Sequence, residues 1–222
     1  GLSQSSIHVI MQSDFYYEFE NQFRGSSKSI SKQLSQYDSL VDLIINNNLS
    51  QKLFDIGCGR GEWLERCSNK SIDCYGIETD PKMVEVCRKK GLNIIEGDAI
   101  SCLKKLDSGS VAIITIFHLI EHIRSDNLFE LITECSRVLS DKGVLIIETP
   151  SIDNILVSTK QFYLDHTHIN HINPEGFDFT IQKCGFNNVK HFYLHGGPLM
   201  NDKHSKITRI FNGVAQDILF IA

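Results

Sequence analysis

The stretch Asp55-Ile56-Gly57-Cys58-Gly59-Arg60-Gly61 follows an apolar Leu53-Phe54 and leads into Glu62-Trp63-Leu64. In order, these residues read as a strand, a glycine turn and the start of a helix. Glycines at alternate positions let the backbone turn sharply and bring bare amides close to a ligand. The turn alone does not say which ligand, because it is neither the spaced GxGxxG of a dinucleotide fold nor a phosphate loop with its Lys-Ser/Thr. Two later acids narrow the choice. Ile72-Asp73-Cys74-Tyr75-Gly76-Ile77 reads as a second strand ending in Glu78, 21 residues past Gly57. An acid there can accept hydrogen bonds from both ribose hydroxyls of an adenosine ligand. A third strand, Leu92-Asn93-Ile94-Ile95, runs into Glu96-Gly97-Asp98 and places another carboxylate on the same edge of the sheet. So many acids disfavour phosphate and tolerate a cation such as a sulfonium.

This series resembles the class I S-adenosylmethionine (SAM)-dependent methyltransferases over roughly residues 50 to 150. The alternative for the turn is another Rossmann-like nucleotide binder. The resemblance implies an α/β fold: a Rossmann-like, seven-stranded, mostly parallel sheet with helices on both faces and strand 7 antiparallel. It also implies SAM as cofactor. Carried over by position, Asp55, Gly57 and Gly59 would hold the methionine part of SAM, Glu78 the ribose, and Asp98 with Ala99 the adenine.

The whole chain agrees with one globular domain. It has 222 residues, 41% of them hydrophobic, and no apolar run near the ~18 residues of a membrane span. A net charge of -5 supplies no basic field for nucleic acid, and no nucleic-acid partner is expected. No Asn/Asp-Pro-Pro-aromatic tetrapeptide of amino-group methyltransferases occurs either. The seven cysteines are scattered without a CxxC pair, which predicts buried thiols and a reducing cytoplasm. The start Gly1-Leu2-Ser3 has no initiator Met and no signal-peptide pattern, so a domain cut from a longer protein is expected.

Residues 1–13 show no firm period and read as a tail or arm. Phe15, Phe19 and Phe23 then recur every four residues, which stacks them on one helical face until Arg24-Gly25-Ser26 breaks it. That helix either covers the sheet or acts as a lid, with Tyr16 or Tyr17 over the cofactor and Arg24 paired with its carboxylate. Ile30, Leu34, Tyr37, Leu40, Val41 and Ile44 continue in helical spacing. The expected division is therefore an arm with lid helices over 1–48 and a catalytic core over 49–222.

Val111-Ala112-Ile113-Ile114-Thr115-Ile116-Phe117 is a continuous β-branched run, as in a strand buried on both faces. It runs into His118-Leu119-Ile120-Glu121-His122, an HxxEH that matches the inverted zinc-protease pattern. A zinc hydrolase needs that pattern inside a long helix. Here it follows a strand directly, and no metal is expected. By the methyltransferase resemblance, Phe117 and His118 would flank SAM, while Glu121 and His122 would face the acceptor or brace the loop. Helical spacing returns over 128–139, Val144-Leu145-Ile146-Ile147-Glu148-Thr149 makes a fifth strand, and a helix over 174–184 precedes strands over 189–194 and 217–221. Those last two suit the reversed hairpin that closes the methyltransferase sheet.

Residues 151–174 lack a clear period and are too long for an idle connection, which favours an acceptor loop. They carry Phe162-Tyr163-Leu164-Asp165-His166-Thr167-His168 and His171. The histidines have no Cys partners of the common structural zinc sites, so ligation is set below proton transfer, acceptor binding and structural roles. Neutral imidazole, pKa near ~6.5, can take a hydroxyl proton as the methyl carbon is attacked. His122, Asp165, His166 and His168 are the catalytic candidates.

The segment ending Phe23-Arg24-Gly25-Ser26, with Phe162 to His168, also resembles bacterial methyltransferases that cap the non-reducing end of O-antigen and related surface polysaccharides. That likeness implies O-methylation of a sugar or sugar phosphate, flanking kinase or glycosyltransferase domains in a longer chain, and a cytoplasmic setting that such domains could hold at the inner membrane face. A small-molecule or quinone-like hydroxyl acceptor and a SAM-binding regulatory module are the alternatives.

Overall fold

The β-branched runs identified above pair into a seven-stranded sheet of order β3-β2-β1-β4-β5-β7-β6 in the computed structural model, which describes residues 4–48, 50–196 and 214–222. Its strands are β1 (Lys52–Ile56), β2 (Asp73–Glu78), β3 (Ile94–Glu96), β4 (Val111–Phe117), β5 (Leu139–Pro150), β6 (Lys190–Gly196) and β7 (Ala215–Ile221). β1 pairs in parallel with β2 and β4, whereas β7 is antiparallel to both β5 and β6. The expected Rossmann-like sheet with a reversed last strand is what the chain adopts. Strand order reverses between β1 and β4, the place where open α/β sheets bind ligands beyond their carboxyl ends.

Every residue of β4 is buried, so its side chains alternate between two cores. On one face, Ile114 and Ile116 meet α7 (Ser125–Val138) through Leu131 and Ile132, and α8 (Pro174–Lys183) through Phe177 and Ile181. On the other, Ile113 joins Tyr37, Val41 and Ile44 of the segment ending in α3 (Asp38–Asn47). α4 (Glu62–Ser68) adds Trp63 and Leu64 there, and α5 (Pro81–Lys89) adds Cys87. Full burial of each such side chain contributes about 1.5–3 kcal/mol. All seven cysteines are free and buried.

Three local readings change. The expected arm over 1–13 is helical from residue 4, within α1 (Gln4–Phe23). Residues 151–174 contain a π-helical turn, Val157–Gln161, and a 3-10 turn, Phe162–Leu164. Their amides are held by side chains, as where Asn154 Oδ1 accepts from Leu156 and Val157, and such bonds leave no periodic pattern. β5 begins at Leu139, five residues before its apolar run. The strand expected over 189–194 becomes β6, and most of the stretch after it lies outside the described residues.

Helix α1 is fastened to the glycine turn by Arg60, whose side chain is 5% exposed. Its Nε lies 2.9 Å from Glu62 Oε1 and 3.8 Å from Glu20 Oε2, and its guanidinium donates to Asn21 Oδ1 at 2.7 Å and the Gly25 carbonyl at 3.2 Å. Removing one partner of a buried ion pair strands the other charge, at about 3–5 kcal/mol. Arg60→Ala is expected to lower unfolding free energy by about 3 kcal/mol in urea titrations. A loss below about 0.5 kcal/mol would show that the pin is not needed.

Candidate active site

Two adjoining cavities open at the carboxyl edge of the sheet. The first, about 410 Å³, runs along the glycine turn past the tips of β1 and β2. Gly57 and Gly59 have left-handed backbones, φ 69° and 52°, and their missing side chains keep the amide track open. Gly61 does a different job: a Cβ there would lie 2.6 Å from Leu92 and 2.8 Å from Cys87 Sγ, so it permits close packing on α5.

Glu78 accepts from the Gly59 amide at 2.9 Å, and from the Thr79 and Asp80 amides at 2.7 and 2.9 Å. Three donors leave one of about four carboxylate lone-pair sites for a ligand. Burial raises its pKa. Asp98 caps α6 (Ala99–Leu103) by accepting from the Ser101 amide at 2.9 Å, and with Ala99 it borders an apolar wall containing Ile77, Met83 and Leu119. Asp55 sits under the turn, 3% exposed, and accepts from the Thr115 hydroxyl at 2.7 Å. Burial pushes its carboxyl up to about 7.

The second cavity, about 280 Å³, lies between α1, the tip of β4 and the segment 161–168. Tyr16, Glu20, Arg24, His118 and His122 line both cavities and mark their junction. Tyr17 lines neither. Arg24 donates to Glu20 Oε1 at 2.8 Å, and its Nη1 lies 3.5 Å from where a Cβ on Gly59 would stand. Glu20 Oε2 is buried without a hydrogen-bond donor. Glu20 was not among the sequence candidates. Its signal was the four-residue spacing Tyr16, Glu20, Arg24, overshadowed by the aromatic stripe one position earlier.

His118 occupies a left-handed backbone at φ 52° as β4 ends, and its amide donates to the Glu148 carbonyl at 2.8 Å. That turn aims the imidazole at three acids: Nδ1 is 3.5 Å from Glu121 Oε1, and Nε2 is 3.5 Å from Glu148 Oε1 and 4.0 Å from Asp217 Oδ1. Burial opposes its charge, yet Glu121 and Glu148 hold its pKa well above the ordinary imidazole value. Burial would likewise raise Glu121 and Glu148, and His118 holds both below the usual carboxylate range. Tyr37 donates its hydroxyl to Glu148 Oε2 and stacks on Phe117, ring centres 5.2 Å apart. Phe117 thus faces the second cavity and not the glycine cleft.

The structure brings His122, Asp165 and His168 together. Thr167 donates its hydroxyl to Asp165 Oδ1 at 2.6 Å and lies 2.8 Å from His122 Nδ1. With its hydrogen already given to Asp165, the Thr167 oxygen accepts from His122 Nδ1–H, which leaves Nε2 with a lone pair. Burial, the largest influence, lowers the His122 pKa. His168 Nδ1 lies 2.7 Å from the Phe162 carbonyl, an acceptor only, so its Nε2 also keeps a lone pair. His166 is exposed, packs on Phe15 at 5.8 Å and borders neither cavity.

A family model described as a methyltransferase domain matches residues 30–191. The chain belongs to that family. It forms a class I SAM-dependent methyltransferase domain, and SAM is the cofactor of that domain. A SAM-dependent methyltransferase from Archaeoglobus fulgidus has 29% identity and a TM-score of 0.80, over 94% of this chain and 99% of that one. Phosphoethanolamine N-methyltransferase 2 of Haemonchus contortus, solved with SAM, shares the fold at 15% identity and a TM-score of 0.61, over 93% of this chain and 59% of that one. A Mycobacterium tuberculosis protein named as a SAM-dependent methyltransferase is 23% identical over 71% of this chain. The chain spans 30% to 56% of the length of the curated relatives it matches.

The charges around His118 set a pH window for stability. Its contribution is complete below the ordinary imidazole pKa and is lost as pH rises through the raised folded value. Glu121 and Glu148 contribute above the ordinary carboxylate pKa, and that share is lost as pH falls through their depressed folded values. His118→Asn keeps a residue tolerant of the left-handed backbone but removes the cation that both carboxylates face, leaving Glu148 the Tyr37 hydroxyl and the more distant His195. Its destabilisation in urea unfolding is expected to be larger at pH 7 than at pH 4. Equal losses at both values would contradict the charge cluster.

Proposed function

We propose that the glycine-turn cleft holds SAM and that the adjoining cavity takes a sugar hydroxyl at the end of a surface polysaccharide, capping the chain by O-methylation. The cleft fits the cofactor. Gly57 and Gly59 give backbone access, Glu78 keeps a site for the ribose, and Asp98 with Ala99 stands beside an apolar wall suited to adenine. Glu20 Oε2, buried without a donor near Gly59, suits a cation, and Arg24 offers a guanidinium for a carboxylate. In this reading Tyr16 covers the cofactor from the lid side, Asp55 supports the turn from below, His118 flanks the junction, and Phe117 lines the acceptor side only.

The acceptor reading is carried by the make-up of the second cavity. Phe19, Phe23 and Leu164 offer apolar faces, and Gln33, Gln36 and Gln161 offer amides. A sugar has apolar faces and hydroxyl edges and matches that mixture. A hydroxyl is favoured over a sugar phosphate, because four carboxylates line the cavity and Arg24 is assigned to the carboxylate of the cofactor.

Bound SAM supplies an electrophilic methyl group, and transfer forms a carbon–oxygen bond as the sulfur–carbon bond breaks. The Nε2 lone pairs of His122 and His168 stand ready to accept the hydroxyl proton, and Asp165 fixes the His122 ring through Thr167. His166, outside both cavities, loses the role its sequence position gave it. The lid-bearing arm, residues 1–48, and the core, residues 49–222, belong to the same proposal, although Tyr37, Val41 and Ile44 pack into the core itself. So do flanking kinase or glycosyltransferase domains and a cytoplasmic setting. No helix among the described residues is long and apolar enough to cross a membrane.

Methyl transfer from radiolabelled SAM into separated cell fractions tests the acceptor. Label is expected in polysaccharide, and His168→Ala should lower it about 100-fold while SAM affinity persists. Label confined to small lipids would move the assignment to a quinone-like hydroxyl, as the Phe19, Phe23 and Phe117 wall would also allow. SAM binding with no label anywhere would favour a regulatory module.

A further inference from the structure

Glu121, His122 and His168 line the acceptor cavity and each offers one donor atom, and these atoms all lie within 4.8 Å of one another. We propose that they bind a divalent first-row transition-metal ion, whose open positions face the cavity and receive the acceptor oxygen. The acceptor part of this inference rests on the O-methyltransferase reading above; the ion site does not.

Glu121 supplies the independent observation. Its side chain is 0% exposed, and its Oε2 accepts from the Thr149 hydroxyl at 2.9 Å. Oε1 receives no hydrogen bond, although it is buried and charged. His118 Nδ1, at 3.5 Å, and His168 Nε2, at 4.0 Å, stand beyond hydrogen-bond contact with it. The His118 charge offsets that of Glu121 but gives Oε1 no hydrogen bond, and a buried oxygen left without a donor costs about 1–3 kcal/mol, so a further partner is the economical explanation.

The imidazoles are set up as ligands. His168 Nδ1–H is committed to the Phe162 carbonyl, and His122 Nδ1–H to the Thr167 oxygen, which in turn is tied to Asp165. Metal-bound histidines characteristically give their other N–H to a carbonyl or, through a relay, to a carboxylate, which fixes the tautomer and aims the free nitrogen. The rings are 4.5 Å apart between centres, in an edge-to-face arrangement.

Distances fit with little movement. Two ligands each about 2.1 Å from one ion can stand up to ~4.2 Å apart. His168 Nε2 and Glu121 Oε1, at 4.0 Å, already satisfy that limit. Closing the widest pair needs under ~1 Å, within the reach of small χ rotations at His122.

Two imidazoles and one carboxylate with open positions form a nitrogen-and-oxygen site that suits zinc, iron or cobalt better than magnesium. The arrangement differs from an HxxEH hydrolase. There both histidines of the motif would bind the metal, whereas His118 here stands outside the trio, with its Nε2 facing Glu148 and Asp217. Sequence spacing alone hides the site, because His168 arrives from 46 residues beyond His122. A bound ion would lower the pKa of a coordinated hydroxyl, so that the acceptor reaches the methyl carbon as an alkoxide and its proton passes to solvent or Asp165.

The test titrates chelator-stripped full-length protein with Co²⁺, following visible absorption, with Zn²⁺ as competitor and SAM calorimetry as the check on folding. One Co²⁺ per chain is expected. His168→Ala should abolish the spectrum while SAM affinity stays within about two-fold of the original, Glu121→Gln should abolish it as well, and Thr167→Val should weaken metal binding about 10- to 100-fold. No cobalt spectrum, or a spectrum unchanged in His168→Ala, overturns the site. Methyl transfer lost on stripping and restored by metal supports the ion's role. Transfer untouched by stripping overturns that role and leaves the imidazoles as direct proton acceptors, with the acceptor reading intact. A metal-dependent transfer to lipid instead of glycan supports the ion while removing the sugar.

Discussion

A buried guanidinium between the glycine turn and the first helix is the constraint on which the site depends. Arg60 extends from the turn itself and engages Glu20, Asn21 and Gly25 at the far end of α1, with Glu62 as its closest anion. Hydrophobic burial fastens α3 to the sheet, but α1 carries an exposed aromatic stripe, with Phe15 and Phe23 about half exposed. Directional polar contacts must therefore hold it. Because Tyr16, Glu20 and Arg24 line both cavities, the ion pairs that place α1 also build the wall the cavities share.

A second charge cluster closes the same region from below. His118 takes an uncommon backbone conformation for a non-glycine residue, and it is held there among Glu121, Glu148 and Asp217. These acids come from the turn after β4, from β5 and from β7, so one imidazole ties the parallel part of the sheet to its reversed strand. The result is a rigid floor on which the glycine cleft and the acceptor cavity meet. Methyl transfer asks for this rigidity, since the protein's task is mainly to align two reactants and exclude water.

Much of the fold was legible because its information is periodic. The β4 run could only be a strand buried on both faces, and the apolar stripe of α7 could only be one side of a helix. Residues 4–13 show no such period, and their helix could not be seen. In 151–174, the turns are fixed by Asn154, His168 and His171 bonding to backbone groups, contacts that depend on tertiary placement. The candidate site divides the same way. Glycines and acids at strand ends announced the cleft, because the topology puts every such end on one edge. Glu20 was masked by the neighbouring Phe15, Phe19, Phe23 stripe, and the meeting of Glu121 and His122 with His168 joins segments that sequence alone does not align. His166 shows the converse, since adjacency to Asp165 and His168 did not bring it into the cavity.

The account centres on two joined cavities, one for SAM and one for a sugar. A crystal structure with S-adenosylhomocysteine and an acceptor oligosaccharide tests it most directly. The account predicts the adenosine between Glu78 and Asp98, the sulfur at the junction bordered by Tyr16, His118 and His122, and a sugar hydroxyl facing that sulfur from the Gln33 and Gln161 side. Adenosine outside the glycine cleft, or an acceptor bound away from the junction, would contradict it.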